Sequence, residues 1–189
     1  MDEFDFIAEE LDSKRKESWK PVETFIKSLQ KGSLCLDIGC GNGRDCKTLI
    51  DNGVRAIGLD SSEKIIQIAS KNVNTEFVAG DATNLQFKDE SFDNILCIAM
   101  LHHLGSENKR IRALKEISRV LKKDGRCLIS IWWKRGLVGD RNLNWIGNKE
   151  IFYHFFSKDE LTELVKKAGL KLERNFLAGS NFYLMIKKN

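Results

Sequence analysis

The amino-acid sequence predicts an α/β protein of the doubly wound, Rossmann-like type, with helices on both faces of a seven-stranded, mostly parallel sheet. Three observations lead to this prediction. Strand-like runs alternate with helix-like runs from residue 33 onward, and several strand runs are continuously apolar, as in parallel strands buried on both faces. The last two strand runs are joined by a turn too short for a parallel crossover, so the sheet is expected to end in an antiparallel hairpin.

The elements follow in a regular order after an N-terminal segment. Residues 1–31 are expected to be helical, because "VETFIKSLQ" is amphipathic and Pro21 stands near its start. Alternating strands and helices come next: strand "SLCLDIG", helix "GRDCKTLIDN", strand "VRAIGLD", helix "SEKIIQIASKN", strand "TEFVAGD", strand "FDNILCIAM", helix "SENKRIRALKEISRVLKKDG" and strand "RCLISIWW".

The C-terminal part departs from this alternation. Residues 133–156 show no clear period and are expected to form an insertion on the substrate side. The helix "SKDELTELVKKAG" follows, opened by Ser157 with an acid three residues later, as in a capping box. Strands "LKLERNFLAG" and "NFYLMIKK" complete the sheet. A length of 189 residues with 42% hydrophobic residues suits one domain over 1–189.

Composition excludes several classes of protein. The chain lacks a long apolar run, and its N-terminus is acidic and amphipathic, so we expect a protein of the cytoplasm, possibly also of the nucleus, and no membrane association. Five cysteines without a CxxC pair predict neither a disulfide nor a metal site. The net charge is +4, but residues 105–189 hold nineteen Lys/Arg against nine Asp/Glu. That excess fits either a nucleic-acid partner or solvated surface lysines.

A glycine turn after the first strand indicates a nucleotide-like ligand. In "LCLDIGCGNGR" the glycines are Gly39, Gly41 and Gly43, a spacing unlike the GxGxxG turn of dinucleotide-binding proteins. Asp60 ends the second strand seventeen residues after Gly43, close to the position of an acid that binds ribose hydroxyls, although Asp is also a common helix N-cap. Asp81 follows the third strand, where an acid can accept a hydrogen bond from the adenine amine.

This combination favours S-adenosylmethionine, which has no pyrophosphate, over a dinucleotide. The third acid, Asp81, can bind the adenine amine, and both the glycine spacing and the antiparallel tail are unusual for a nicotinamide dehydrogenase. Glycines would let the backbone approach the methionine part of this cofactor closely. The predicted cofactor contacts are the turn, the acids at the strand ends and their neighbours: Asp37, Gly39, Cys40, Gly41, Asp60, Ser61, Asp81, Ala82 and Ile98.

Three further pieces of sequence are distinctive: the Arg15 to Trp19 spacing, the pair His102-His103 and the Phe-Tyr-His-Phe stretch before the last helix. With them the whole pattern resembles the eukaryotic tRNA wobble-uridine carboxymethyl methyltransferases, a family within the class I S-adenosylmethionine-dependent superfamily. Two departures are visible: Ile151 and Phe152 stand where the family has arginine and tyrosine, and the insertion after the fifth strand is shorter. The resemblance covers "RKESWKPVETFIKSL", "GSLCLDIGCGNGR", "IGLDSSEKIIQIA", "GDATNLQFKDESFDNILCIAMLHHL", "RIRALKEISRVLKKDGRCLISIWW" and "FYHFFSKDELTELVKKAG".

The resemblance implies an activity and a partner. The family esterifies the carboxylate of 5-carboxymethyluridine in the tRNA anticodon. It is activated by a small zinc-ribbon protein. We therefore expect this chain to form a heterodimer with such a protein, which would bind at the edge strand 75–79. Two alternatives stay open: a methyltransferase of the same fold acting on a small molecule or another RNA, and a non-catalytic methyltransferase-like subunit that binds RNA.

Candidate acceptor-side residues are cationic, aromatic or imidazole groups. Arg15, His102 and His103 are predicted to act at the methyl-transfer centre, and we expect one histidine rather than both to line the pocket. Trp19 is an alternative anchor for the N-terminal helix, and one member of the Trp132-Trp133 pair is expected in the core, because neighbours on a strand face opposite ways. The predicted substrate-binding residues are Arg15, Trp19, Trp133, Arg135, Trp145 and His154.

Overall fold

The computed structural model describes residues 4–6, 8–14, 16–144 and 150–188, and its centre is a seven-stranded sheet of order β3-β2-β1-β4-β5-β9-β8. The first five strands in this order, from β3 at the edge to β5, pair in parallel. Strand β9 is antiparallel to both β5 and β8. The strands are β1 (Leu34–Ile38), β2 (Arg55–Asp60), β3 (Glu76–Ala79), β4 (Phe92–Ile98), β5 (Leu121–Trp132), β6 (Gly139–Asn144), β7 (Glu150–Phe155), β8 (Leu170–Ala178) and β9 (Asn181–Lys188).

Helices cover both faces of this sheet. Because successive strand residues point to opposite faces, Cys35 packs with α2 and α3, while its neighbour Leu36 packs with α5 and α6. None of the described helices is long and apolar enough to cross a membrane. The helices are α1 (Ala8–Lys14), α2 (Lys20–Lys27), α3 (Arg44–Asp51), α4 (Glu63–Asn72), α5 (Glu107–Val120) and α6 (Lys158–Lys167), with a 3₁₀ turn at Leu101–His103.

The structure differs from the sequence prediction at the end of α5. The helix was expected to continue to residue 125, but it ends at Val120, and Leu121 already belongs to β5. Leu121 is fully buried and pairs with Phe92 across a register shift in β4. Asp124 adopts a positive φ of 62°, which a helix excludes. Burial of Leu121 against the sheet therefore overrides the helical pattern of the preceding residues.

Residues 133–156, to which the sequence assigned no regular element, contain a second sheet. Strands β6 and β7 pair antiparallel, with Arg141 opposite Tyr153. The inward side chains Ile151, Tyr153 and Phe155 form a small apolar cluster together with Trp132. This hairpin sheet lies beside the 3₁₀ turn, which follows β4. It therefore adds a wall to the carboxyl end of the main sheet.

The N-terminal helices are tied to the sheet near the glycine turn. Ser18 Oγ donates a hydrogen bond to Asp45 Oδ1 at 2.5 Å, which joins the segment before α2 to α3. Asp12 on α1 accepts hydrogen bonds from the side-chain amides of Asn42 and Asn72, at 3.1 and 2.7 Å. These bonds bring the N-terminal segment to the same end of the sheet as the acids predicted to hold a cofactor.

Candidate active site

A cavity of about 330 Å³ opens at the carboxyl ends of β1, β2, β3 and β4, the position at which doubly wound sheets bind their ligands. Seven of the nine residues predicted to contact the cofactor line it: Gly39, Gly41, Asp60, Ser61, Asp81, Ala82 and Ile98. They come from the ends of four different strands and from the loops that follow. The parallel register of the sheet is what brings these separate pieces of sequence together.

The glycine turn is a tight, left-handed stretch of backbone. Gly39, Gly41 and Gly43 have φ values of 74°, 54° and 83°, a region that side chains disfavour. A Cβ on Gly39 would lie 2.6 Å from Met100 Cγ, so this glycine is required for packing against the residues after β4. A Cβ on Gly41 would meet no protein atom within 4 Å, although Gly41 lines the cavity. Gly41 therefore leaves space for a ligand.

Asp60 is held in place by two backbone groups. Its Oδ2 accepts a hydrogen bond from the Gly41 N–H at 3.0 Å, and its Oδ1 accepts one from the Ser62 N–H at 3.1 Å. Ser62, rather than Asp60, caps α4, since its Oγ accepts from the Ile65 N–H at 3.1 Å. The carboxylate thus links the glycine turn to β2 and lies in the cavity wall, which is the arrangement expected of a ribose-binding acid.

Asp81 borders the cavity beyond the end of β3. Its Oδ1 accepts a hydrogen bond from the Thr83 N–H at 2.8 Å, and the residue is solvent-exposed. The neighbouring Ala82 is buried and packs with the core on the α5 side of the sheet. An exposed acid next to a buried apolar residue suits a flat heterocycle with an exocyclic amine.

Asp37 and Cys40 do not line the cavity, in contrast to the prediction. Asp37 is 1% exposed, and its Oδ1 finds no hydrogen-bond partner among the described residues. Burial raises the pKa of the Asp37 carboxyl well above its ordinary value, the nearby Asp45 carboxylate raises it further, and Arg44 opposes the shift. Burial also raises the pKa of the Cys40 thiol. Both side chains point into the core instead: Asp37 Oδ2 accepts a hydrogen bond from Cys46 Sγ of α3 at 3.6 Å, and Cys40 packs with the residues of α2 and α3.

The histidine pair separates into one residue on the cavity wall and one in the interior. His103 lines the cavity, and its Nδ1–H donates to the Phe152 carbonyl oxygen at 3.0 Å. His102 is 2% exposed and does not line the cavity; its Nδ1 accepts a hydrogen bond from the Trp132 N–H at 3.2 Å. Because they lie in a 3₁₀ turn, the two neighbouring side chains point in different directions.

An aromatic wall, formed by Phe4, His103 and Tyr153, closes the cavity on the side of β7. The Phe4 and His103 ring centroids are 4.9 Å apart with the rings edge to face, and those of His103 and Tyr153 are 4.5 Å apart. Behind the wall, Trp132 contacts Tyr153 edge to face at 5.4 Å. Ile151 lines the cavity beside this wall and is 2% exposed.

Four residues predicted to bind substrate lie away from the cavity. Trp19 stacks under the Arg44 guanidinium at 4.6 Å, so it anchors the N-terminal segment on α3. Trp133 packs against the core with Lys158 Nζ 5.4 Å above its ring. Arg135 is exposed on the segment between β5 and β6. Arg15 and Trp145 lie outside the described residues.

His154 is the fourth of these residues, and its ring nitrogens face two carboxylates. Nδ1 is 2.5 Å from Asp140 Oδ1 and Nε2 is 2.7 Å from Glu160 Oε1. The side chain points away from the cavity because its neighbour Tyr153 points into it, as alternation along β7 requires. His154 therefore connects β6, β7 and the first turn of α6.

Sequence reasoning missed several cavity residues, among them Phe4, Lys109, Ile151 and Tyr153. Tyr153 and Ile151 alternate with Phe152 and His154, but the run is too short and too uniformly aromatic to show a strand period. Phe4 is far from the other residues in sequence, so only the folded N-terminal segment brings it near His103. The mixed charge pattern of α5 gave no reason to single out Lys109.

The described residues fit S-adenosylmethionine. The cavity has two acids beside separate strand ends, a glycine turn with open space at Gly41 and apolar walls at Leu59 and Ile98. No set of three or more potential metal ligands occurs in the described ranges. Asp60 would hold the ribose and Asp81 the adenine amine, while the turn would take the methionine part.

Comparisons with known sequences identify relatives over most of the chain. A family described as "Methyltransferase domain" matches residues 36–129. The chain is 32% identical to the Schizosaccharomyces pombe tRNA (carboxymethyluridine(34)-5-O)-methyltransferase, over 98% of this chain and 94% of that protein. An Arabidopsis thaliana protein of the same name is 40% identical over 68% of this chain, which spans 31% of that longer relative.

Solved structures confirm the predicted fold. A Haloferax volcanii methyltransferase in complex with the Trm112 methyltransferase activator superimposes with a TM-score of 0.83 at 19% identity, over 99% of this chain and 98% of that chain. A Burkholderia thailandensis 1,6-didemethyltoxoflavin-N1-methyltransferase with bound S-adenosylhomocysteine gives a TM-score of 0.78 at 22% identity, over 98% and 86% of the two chains. The sheet order and the antiparallel tail are therefore those of the class I methyltransferase fold.

Proposed function

The chain belongs to the family of tRNA (carboxymethyluridine(34)-5-O)-methyltransferases, S-adenosylmethionine-dependent enzymes of the class I fold, and from that premise we propose that it esterifies the carboxylate of 5-carboxymethyluridine at the tRNA wobble position. The observation that carries the proposal is one cavity that joins Asp60 and Asp81 to the aromatic wall. One end of it suits the cofactor, and the other offers flat surfaces to a base.

The chain's own residues act by binding and orientation. S-adenosylmethionine, when bound, supplies a methyl group activated on a sulfonium. Asp60, fixed by the Gly41 and Ser62 N–H groups, holds the ribose, so the glycine turn and the cofactor are positioned together. Such positioning holds the methyl group and the acceptor in line, so that a bimolecular reaction becomes effectively unimolecular.

The acceptor side needs no general base for this reaction. A carboxylic acid with an ordinary pKa of about 4 is already ionised at neutral pH. His103 Nδ1–H donates to the Phe152 carbonyl oxygen, which fixes the ring beside Tyr153. The aromatic wall would stack against an extruded base, as aromatic side chains do in recognition of single-stranded RNA.

Ile151 gives this cavity an apolar surface at a position where the resembling family has arginine. It is buried and lines the cavity, whereas Phe152 is half-buried and outside it. We expect the cation that orients the acceptor carboxylate to come from elsewhere in the site. We propose that the ester reaction is retained despite this replacement.

Nucleoside analysis of tRNA provides the test. The chain, with an activator where needed, is expressed in cells whose tRNA accumulates 5-carboxymethyluridine because their own enzyme has been removed. We expect 5-methoxycarbonylmethyluridine to appear in digests examined by mass spectrometry. An Asp60→Ala variant should leave the free acid unchanged. Absence of the ester with the wild-type chain, despite measurable cofactor binding, would contradict the proposal and favour another acceptor.

We also propose that a small zinc-ribbon activator binds along β3. Among the described strands β3 has one neighbour, β2, so its other edge has backbone groups available for an added strand. Phe77 and Val78 are half-buried there, while Glu76 and Ala79 are exposed. The similar Haloferax volcanii methyltransferase, solved with an activator, supports a small partner of this kind.

Co-expression tests this interface. The activator should co-purify with the chain and raise its soluble yield. The Gly80 N–H donates to the Asp60 carbonyl oxygen of β2, so the Ala79 N–H, one residue earlier, faces the free edge. Ala79→Pro removes this backbone donor and should reduce co-purification, whereas Ala79→Ser, which keeps the donor, serves as the matched control. Equal recovery of the partner with wild type and Ala79→Pro would contradict the location.

A further inference from the structure

We propose that Lys109 is the cation that recognises and orients the carboxylate of the acceptor, an inference that rests on the proposed function. Lys109 lies in the first turn of α5 and lines the same cavity as His103 and Tyr153. It follows the 3₁₀ turn that positions His103, so both residues are placed by one short stretch of chain after β4.

The charges around the cavity favour a cation on the acceptor side. Among the described residues that line the cavity, Asp60 and Asp81 are the anions and Lys109 is the cation. Without a positive group, an acceptor carboxylate entering this cavity would be repelled by both acids. A lysine close to the acceptor would offset that repulsion and fix one end of the group that receives the methyl.

Lys109 is available for this role. Within the described ranges it makes no ion pair with Asp or Glu, and its side chain is exposed. The nearby Glu107 instead pairs with Lys167, 3.6 Å away. The Lys109 backbone N–H donates to Ser106 Oγ at 3.3 Å, so the backbone is held while the ammonium group stays solvated.

Helix stability argues against lysine at this position. Lys109 is the third residue after the N-cap Ser106, the position at which Glu or Gln completes a capping box. At the corresponding position of α6, Glu160 follows the N-cap Ser157. A cation in the first turn also meets the positive end of the helix dipole. Lys109 is thus unfavourable for α5 itself, as expected of a residue placed for binding.

The test compares two anticodon stem-loop RNAs that differ in one group at the wobble base: 5-carboxymethyluridine, which is charged, and 5-carbamoylmethyluridine, its neutral amide. Binding of each RNA to the full chain is measured by fluorescence anisotropy in the presence of S-adenosylhomocysteine. Wild type should prefer the charged RNA about tenfold. Lys109→Gln should reduce that preference to less than twofold, and Lys109→Arg should retain it.

Lys115→Gln is the matched control, because Lys115 is exposed on the same helix but does not line the cavity. It removes the same charge and should keep the tenfold preference. Lys109→Gln should also unfold at a urea concentration no lower than wild type, since glutamine completes the capping box. A structural role for Lys109 would instead lower that midpoint.

Three results would overturn the inference about Lys109 while leaving the proposed function intact. In the first, Lys109→Gln keeps the preference for the charged RNA. In the second, it lowers the affinity for both RNAs equally, as loss of a phosphate contact would. In the third, it lowers the affinity for S-adenosylhomocysteine tenfold. If wild type itself does not distinguish the two RNAs, the proposed acceptor is wrong, and the inference falls with it.

Discussion

Gly39→Ala and Gly41→Ala are expected to separate the folding role of the glycine turn from its binding role. At Gly39 the added Cβ would lie 2.6 Å from Met100 Cγ and 2.7 Å from Met100 Cβ, in a backbone with φ of 74°. The left-handed conformation costs ~1–2 kcal/mol for a residue with a side chain. Overpacking adds ~1–3 kcal/mol. We therefore expect the free energy of unfolding to fall by about 3 kcal/mol.

At Gly41 the added methyl group meets no protein atom within 4 Å, so only the backbone strain of φ 54° remains. That strain costs about 1 kcal/mol. Because Gly41 lines the cavity, the methyl group would take space that the cofactor needs. Affinity for S-adenosylhomocysteine should fall at least tenfold, a change of about 1.4 kcal/mol or more.

For each variant, urea unfolding without ligand, followed by tryptophan fluorescence, gives the free energy of unfolding. Titration calorimetry gives the affinity for S-adenosylhomocysteine. The slope against urea should match wild type, so that midpoints report stability. Unchanged stability of Gly39→Ala would contradict the steric contact with Met100. Wild-type affinity of Gly41→Ala would contradict the placement of the ligand against the turn.

Three further variants test the rest of the site. Asp60→Ala should abolish measurable cofactor binding in calorimetry, and normal affinity would contradict ribose binding by this acid. Asp37→Asn should make the free energy of unfolding less dependent on pH. Because the pKa of buried Asp37 is raised in the folded state, wild type loses stability as the pH rises from the unfolded pKa of about 3.8 toward the folded value. Urea midpoints at several pH values should show this loss in wild type and not in the variant. His154→Gln should lower the free energy of unfolding by about 1 kcal/mol, because it disrupts the partly buried hydrogen bonds to Asp140 and Glu160, without changing cofactor affinity.

Most residues predicted from the sequence to hold a cofactor line the cavity, because they follow the ends of strands. Alternating strands and helices place the residues after Ile38, Asp60 and Ala79 at one edge of the sheet, whatever their separation in sequence. Glycine and aspartate are also distinctive there, since a positive φ and a fixed hydrogen-bond acceptor limit the choice of residue.

The acceptor side was harder to predict, since its geometry depends on packing between distant segments. His103 lines the cavity and His102 does not, a difference set by the 3₁₀ turn rather than by residue type. Tyr153 lies on β7, and the residues of β7 and its partner β6 show no alternation of apolar and polar residues that would predict two strands. His154 and Trp19 carry groups suited to RNA, but their side chains bind Glu160 and Arg44 instead.

Methyl transfer to the wobble base can be measured directly with purified chain, S-adenosylmethionine labelled in its methyl group and tRNA carrying 5-carboxymethyluridine, with and without a zinc-ribbon activator. Mild alkali then separates an ester from a methyl group on nitrogen or carbon. We expect label to enter this tRNA, to be released by alkali and to be absent with tRNA that lacks the carboxymethyl group. Alkali-stable label, or equal label in both tRNAs, would contradict esterification of the wobble carboxylate.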